Sequence, residues 1–379
     1  MRASTTRRLI GGTALGLGLL TAAWVLSGDQ KVAWQGFSTP VQVVTGDGPD
    51  GVAVGDVDGD GDSDVLVVNY AQNTVSIHTN DAQGQLGPGR GLPTQKEPED
   101  LALGDLDGDG DLDLLIVNEG AQSFLVFINV DGRGTFESRP AVPAGEQPVG
   151  CALEDFDGDG DLDAVAANIG GADLSVVMNG GDGSFGSEQR YVVGAQACSP
   201  EVADLDGDGL PDLVAASEAT NRVAVLINEA GESFADPVHY PTGSGPVSVA
   251  LADLDRDGHI DLAVLNEQDA DVALFFNRGD GSFSVGPRHR VGPEPFVLAV
   301  ADINHDDRED LILTHYEAAR VSVHLNRGDR TFDRGREFET GPNPSAIGVV
   351  DLDGDGDSEL VVTNYGDSSL SVFDNRTIP

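Results

Sequence analysis

Seven nine-residue segments of the chain place carboxylates at most or all of their alternate positions. They are DVDGDGDSD (56–64), DLDGDGDLD (105–113), DFDGDGDLD (155–163), DLDGDGLPD (204–212), DLDRDGHID (253–261), DINHDDRED (302–310) and DLDGDGDSE (351–359). A hard divalent cation needs this kind of spacing, because Ca2+ gathers six to eight oxygens in a flexible shell. Positions 1, 3 and 5 offer side-chain oxygens, position 7 a backbone carbonyl, and position 9 a bidentate carboxylate. Glycine at position 6 allows the sharp turn that brings them together.

The expected ligands are therefore Asp56, Asp58, Asp60, Asp62 and Asp64 in the first loop, and Asp105, Asp107, Asp109, Asp111 and Asp113 in the second. The third offers Asp155, Asp157, Asp159, Asp161 and Asp163, and the fourth Asp204, Asp206, Asp208, Leu210 (by its carbonyl) and Asp212. The fifth offers Asp253, Asp255, Asp257, His259 (carbonyl) and Asp261, and the seventh Asp351, Asp353, Asp355, Asp357 and Glu359. The sixth, with Asp302, Asn304, Asp306, Arg308 (carbonyl) and Asp310, departs most, since Asp307 stands at the glycine position. Six or seven calcium ions are expected, the sixth loop being the weakest. Position 2 is always apolar, which would pin each loop to a core.

The first residues of the loops lie 49, 50, 49, 49, 49 and 49 apart, so one period runs through the chain. Each repeat holds a short apolar run before the loop and a β-rich run after it. Another run ends in Asn (Asn80, Asn129, Asn179, Asn228, Asn277, Asn326, Asn375), and then come a Gly-rich turn and a fourth run. These are strand and hairpin signals, with no sustained 3.6-residue period. Four strands per repeat, seven times, predict an all-β, seven-bladed propeller of four-stranded blades. The residue after the turn is Phe37, Leu86, Phe136, Phe185, Phe234, Phe283 and Phe332. The chain thus opens on a lone fourth strand near 37–45 and ends on a third strand near 370–375. The N-terminal strand is expected to complete the last blade, which removes two open sheet edges.

The post-turn Phe, the Gly-x-x-Pro segments (Gly145 to Pro148, Gly243 to Pro246, Gly341 to Pro344) and the acidic loops resemble the FG-GAP/VCBS repeats of integrin-α-type propellers. The resemblance spans roughly residues 37–375. It implies the propeller fold, calcium in the loops, and a recognition or adhesion role.

Composition narrows the function classes. Acids outnumber bases 65 to 21, for a formal net charge of −44, which argues against nucleic-acid binding. The acidic loops hold 33 of those 65 carboxylates, so the acidity is concentrated at ligand spacing rather than scattered. Residues 1–27 carry Arg2, Arg7 and Arg8 ahead of an uncharged run over 9–26. Two readings stay open there, a signal peptide cut after Ala23 and an uncleaved membrane anchor. Either places residues 28–379 outside the membrane, secreted or held at the cell surface.

The seven histidines fall at several repeat positions and no Cys-x-x-Cys occurs, which argues against zinc. Cys151 and Cys198 lie in adjacent blades, where a bridge is conceivable. Glu201 takes a first-strand place held elsewhere by Ala or Gly, as a channel ligand or a hydrogen-bonded acid. After the second strands, Tyr70, Tyr316 and Tyr365 share one repeat position in neighbouring blades, opposite Glu119, Glu218 and Glu267. That arc is the candidate ligand surface, suited to a glycan or a protein partner. The expected class is a binding module without catalytic residues. The alternatives are a structural or assembly protein of the envelope and a calcium-assisted polysaccharide lyase, for which His315 is the best lone base.

Overall fold

The computed structural model describes residues 34–375; the expected leader lies outside them. Seven antiparallel sheets follow one another around a ring, each with the order first, second, third, fourth strand outward. Blade 1 is built from Pro49–Gly55, Asp64–Asn69, Thr74–His78 and Arg90–Pro93. Blades 2 to 6 repeat the scheme, with first strands Pro98–Gly104, Pro148–Glu154, Ala197–Ala203, Pro246–Ala252 and Pro295–Ala301. Blade 2 differs at its rim, where the outer strand is split into Phe136–Ser138 and Val142–Pro143. Pro140 lies in the gap, and proline has no N–H for the ladder.

Blade 7 combines both chain ends. Pro344–Val350, Glu359–Asn364 and Ser369–Phe373 are completed by Val41–Val44, which pairs antiparallel with the last strand. Closure by the N-terminal strand is therefore as expected from the phase of the repeat. Phe37 bridges Asn375 just as Phe185 bridges Asn179 and Phe234 bridges Asn228. Trp34 adds a clasp: it is buried, its indole N–H donates to Asn375 Oδ1 at 2.8 Å, and its ring meets Phe37 and Phe338 edge-on.

Burial follows the order of the strands. Every second strand is buried along its whole length, as in DVLVVN and DLLIVN, because blades pack against both of its faces. In the outer strands of blades 1, 3 and 7 only the third of four residues is half-buried, so the rim is exposed. The apolar clusters lie mostly between neighbouring blades: Val149 and Cys198 of blades 3 and 4 share one with Val249 and Leu262 of blade 5. The first strand of every one of the seven blades carries a register shift near its start. There a small polar side chain staples one blade to the next: Ser199 Oγ accepts from the Val249 amide at 2.9 Å, Ser248 Oγ from Leu298 at 3.2 Å, and Asp100 Oδ2 from Cys151 at 3.1 Å.

Cys151 and Cys198 are buried free thiols in separate apolar clusters, and no bridge joins them. Burial raises both thiols well above their ordinary range, with added contributions from Asp100 at Cys151 and from Glu218 at Cys198.

The clasp gives a direct test of closure. Trp34→Ala should cost about 3–5 kcal/mol, as for other buried aromatics, read as a lower urea midpoint at unchanged m. An unchanged midpoint would show that the N-terminal strand does not hold the ring.

Candidate functional site

The acidic loops follow the first strands and so lie together on one face. Their internal hydrogen bonds divide the carboxylates into distinct roles. Position 1 organises the turn: Asp56 accepts from the amides of Gly59 and Gly61 at 2.7 and 2.9 Å. Asp105, Asp155, Asp204 and Asp351 do the same. Position 5 accepts from the amide of position 7, as Asp109 does from Asp111 at 3.0 Å and Asp208 from Leu210 at 2.9 Å.

Position 6 has the expected positive φ, 90–98° at its glycines and 61° at Asp307. Position 4 also turns left-handed, from 73° at Gly354 to 82° at Gly207, and here the sequence reading saw no constraint. Arg256 and His305 occupy that position at 64° and 54°, a conformation uncommon for side chains with a Cβ.

Position 9 does more than the spacing implied. Asp64 is fully buried, and its two oxygens accept from the Val57 amide at 3.1 Å and the Asn80 amide at 2.9 Å. The same pair of bonds recurs at Asp113, Asp163, Asp212, Asp261 and Glu359. The ninth carboxylate thus fixes its loop to the third strand of its own blade. The invariant Asn continues the chain: Asn80 Nδ2 donates to the Leu352 carbonyl in the loop of blade 7, and Asn129 to Val57 in that of blade 1. Asn179, Asn228, Asn277, Asn326 and Asn375 reach the preceding loop in the same way.

In loops 1 to 5, positions 1, 3 and 9 bring one oxygen each within 4.8 Å of one another. Position 3 has spare capacity: Asp58 Oδ1 and Asp107 Oδ1 are buried without a hydrogen-bond partner. Crowded charge in a dry place raises the affinity for protons. Burial, then the neighbouring loop acids, pushes Asp64, Asp113, Asp163 and Asp212 up to about 6, Asp261 and Glu359 to about 7 and Asp310 to about 8. Orphaned oxygens, carboxylate-rich donors and raised proton affinity all fit a hard divalent cation. In loop 6, Asn304 turns its amide nitrogen toward Asp310 Oδ2 at 3.1 Å, so it helps to compensate that acid. Among the described residues this sector pairs basic groups with loop carboxylates: Arg330 with Asp255, Arg308 with Asp306 at 3.1 Å, and His305 with Asp357 at 2.9 Å.

The opposite face carries the tyrosines. Tyr70 is buried, and its hydroxyl donates to Glu119 Oε2 at 2.8 Å, which ties the aromatic arc to the acidic one. Glu119 also accepts from Gln147 Nε2 at 2.9 Å. Tyr316 is half-buried against Phe296, ring centroids 4.9 Å apart, and Tyr365 is half-buried beside Gly48. Glu218 is raised, mainly by burial and then by Glu267. Nearer the axis, Asp50, Glu99 and Asp100 are buried at the start of the first strands. Glu201 stands half-buried where the other blades have Ala or Gly; Oε1 has no hydrogen-bond partner, and burial together with Asp100 raises its carboxyl strongly. His315 is a poor base, because Nδ1 lies 2.9 Å from the Pro293 carbonyl and Nε2 2.8 Å from Ser322 Oγ.

Comparison with known proteins agrees with this geometry. The model described as FG-GAP-like repeat matches residues 56–116, 105–166, 155–215, 204–264, 256–313 and 302–362. The chain belongs to the FG-GAP-like repeat family. No curated protein matches it. Among solved structures, BBS1N in complex with ARL6DN shares the fold with a TM-score of 0.65 at 11% identity, over 90% of this chain and 98% of that one. A catalytically inactive virginiamycin B lyase from Staphylococcus aureus, with quinupristin, gives 0.60 at 14% identity over 89% and 99%. Raptor from Chaetomium thermophilum gives 0.58 at 15%, over 91% of this chain and 30% of that one. The fold is thus one shared by interaction modules and by some enzymes.

The raised carboxyls set a pH dependence. An acid whose folded value exceeds its ordinary 3.8 stabilises the metal-free fold at low pH, and this contribution is lost as pH rises through about 6–8. A bound cation supplies the compensation instead of protons, so the two compete. The calcium-induced rise in melting temperature should be small at about pH 5 and large at about pH 8. Scanning calorimetry with calcium and with chelator at both values reads it, and the buried histidines cancel in the difference. A gain that is constant with pH would refute this assignment of charge.

Proposed function

We propose that the chain is a calcium-loaded recognition propeller, exported to the cell surface or beyond, in which ions in the acidic loops stiffen one face and the opposite face engages a partner. The buried, unpartnered oxygens of Asp58 and Asp107 carry the metal half of this reading. Once bound, calcium supplies positive charge to positions 1, 3 and 9 and so relieves the repulsion that otherwise loosens the loops.

The partner is a protein that presents basic groups, in preference to a glycan. Tyr70 is buried and committed to Glu119, so the arc does not offer a full row of stacking rings. Around it, Glu218 and Glu267 lend the face negative charge, and electrostatic complementarity would set the on-rate. The likeness to BBS1N in complex with ARL6DN extends to the fold and makes a protein partner compatible with this scaffold.

Two experiments test the reading. An ion held at a thousandfold excess over its Kd adds about 4 kcal/mol to stability. Chelation should therefore lower the melting temperature by many degrees, and Asp58→Asn with Asp107→Asn should reduce that response; an equal melt with and without calcium overturns the metal assignment. For recognition, the calcium-loaded chain is titrated with a lysine-rich peptide and applied to a glycan array. Salt-sensitive peptide binding, weakened roughly tenfold or more by Glu218→Gln with Glu267→Gln, supports a basic protein partner. Binding to one sugar class that is lost in Tyr316→Ala with Tyr365→Ala would make it a lectin instead.

A further inference from the structure

The fold gathers three histidines that the sequence scatters. His289, on the outer strand of blade 5 (Phe283–Arg290), faces His324, on the third strand of blade 6 (Arg320–His324). Their rings are nearly perpendicular, at 84° with centroids 4.9 Å apart, and His289 Nε2 lies 3.0 Å from His324 Nδ1. Behind them, His324 Nε2 is 3.1 Å from Ser322 Oγ, and Ser322 Oγ is 2.8 Å from His315 Nε2. The line ends at the Pro293 carbonyl, 2.9 Å from His315 Nδ1.

That end fixes the protons along the whole line. A carbonyl only accepts, so His315 Nδ1 carries hydrogen and its Nε2, in the neutral ring, is bare. Ser322 must then donate its one hydroxyl proton to His315. His324 Nε2 in turn must donate to Ser322 Oγ, which leaves His324 Nδ1 as a lone pair aimed at His289. The Asp333 carbonyl, 3.3 Å from that nitrogen, is a second acceptor and so no partner for it. Burial keeps all three rings neutral, lowering His289 and His315 and bringing His324 to about 4.

We propose that His289 Nε2 and His324 Nδ1 are the protein ligands of a second type of metal site, for a borderline divalent cation of the zinc–copper class, in the seam between blades 5 and 6. Neutral imidazole nitrogen suits these ions, whereas the carboxylate loops suit calcium. The Ser322–His315–Pro293 line does what an outer shell does for a metal-bound histidine: it selects the tautomer and holds the ring. Two nitrogens at 2.0–2.1 Å from a tetrahedral ion lie about 3.3 Å apart, close to the observed 3.0 Å, and both rings turn on binding so that their lone pairs meet at the ion instead of facing each other. His289 is half-exposed and opens the site to solvent, which would fill the remaining positions. Asp333 lends His289 a favourable negative charge and Arg327 an opposing positive one. Without metal, His289 Nε2–H donates to the same lone pair, which accounts for the contact.

The test is copper(II) electron paramagnetic resonance on the full chain in excess calcium, with less than one equivalent of copper. Imidazole nitrogen hyperfine structure is expected, lost in His289→Gln and retained in His239→Gln. Zinc should displace the copper. Ser322→Ala, which removes the line but neither ligand, should weaken copper binding about 10–100-fold. His289→Gln must keep the calcium-dependent melt of the parent chain, so that loss of signal is not loss of fold. A spectrum with oxygen ligation only, or one unchanged by His289→Gln, overturns the site.

Discussion

The structure depends on one buried carboxylate per blade. The ninth loop residue, Asp64 in blade 1, is enclosed by protein and accepts two backbone amides, one from its own loop and one from the end of the third strand. The asparagine at that strand end donates its side chain to the loop of the preceding blade. Loop conformation, blade integrity and blade-to-blade registry thus meet at a single charged group. Two amide hydrogen bonds favour the anion, but burial and the acids at positions 3 and 5 act against it, and the net result is a raised proton affinity. A fold that rests on such a group needs a counter-charge near it, a proton at low pH or a cation at neutral pH. Metal binding and ring closure are in this sense one problem.

The same arrangement explains where specificity can reside. Second strands are buried end to end and third strands nearly so, which leaves them little freedom beyond apolar packing. The loop face is committed to the carboxylate–asparagine seam. What remains free to vary is the rim, the channel wall and the turns after the second strands. Those turns are where Tyr70, Glu119, Glu218, Tyr316 and Tyr365 depart from one another while the backbone beneath them repeats.

The period of 49 residues made the architecture legible, because equivalence between repeats is a property of sequence alone. It was enough to place the closing strand, since the phase leaves a lone fourth strand after Phe37 and a last blade that lacks its fourth strand at Asn375. It also marked the loops, though it read the ninth carboxylate as a ligand and missed its role as an acceptor for two amides. The recurrent asparagines were visible, but not their partners, which lie about 72 residues away in the neighbouring blade. The constraint at position 4 was hidden by Arg256 and His305, which adopt the left-handed turn without being glycine. The histidines show the limit most clearly. His289 and His324 occupy different places in their repeats, and only lateral packing of an outer strand on a third strand brings them together. A repeat pattern reports what is equivalent, not what is adjacent across a seam.

A sevenfold backbone does not make a sevenfold charge distribution. In loop 2 the charge of Arg139 partly offsets the raised Asp107, whereas in blades 5 to 7 ion pairs form among the described residues, Arg330 on Asp255, Arg308 on Asp306 and His305 on Asp357. The three paired histidines lie in the same sector. Guanidinium groups half-exposed at the surface add little by themselves, because solvent screens them. Their effect would be on the proposed ion: a cation in loop 5 or 6 would share its carboxylates with a side chain that already answers part of their charge. The charge of the loops is thereby answered unevenly around the ring, with ion pairs gathered at loops 5 to 7. This asymmetry gives a symmetric scaffold a distinguishable side, and it arises from a few substitutions at loop positions whose backbone course is otherwise shared by all seven blades.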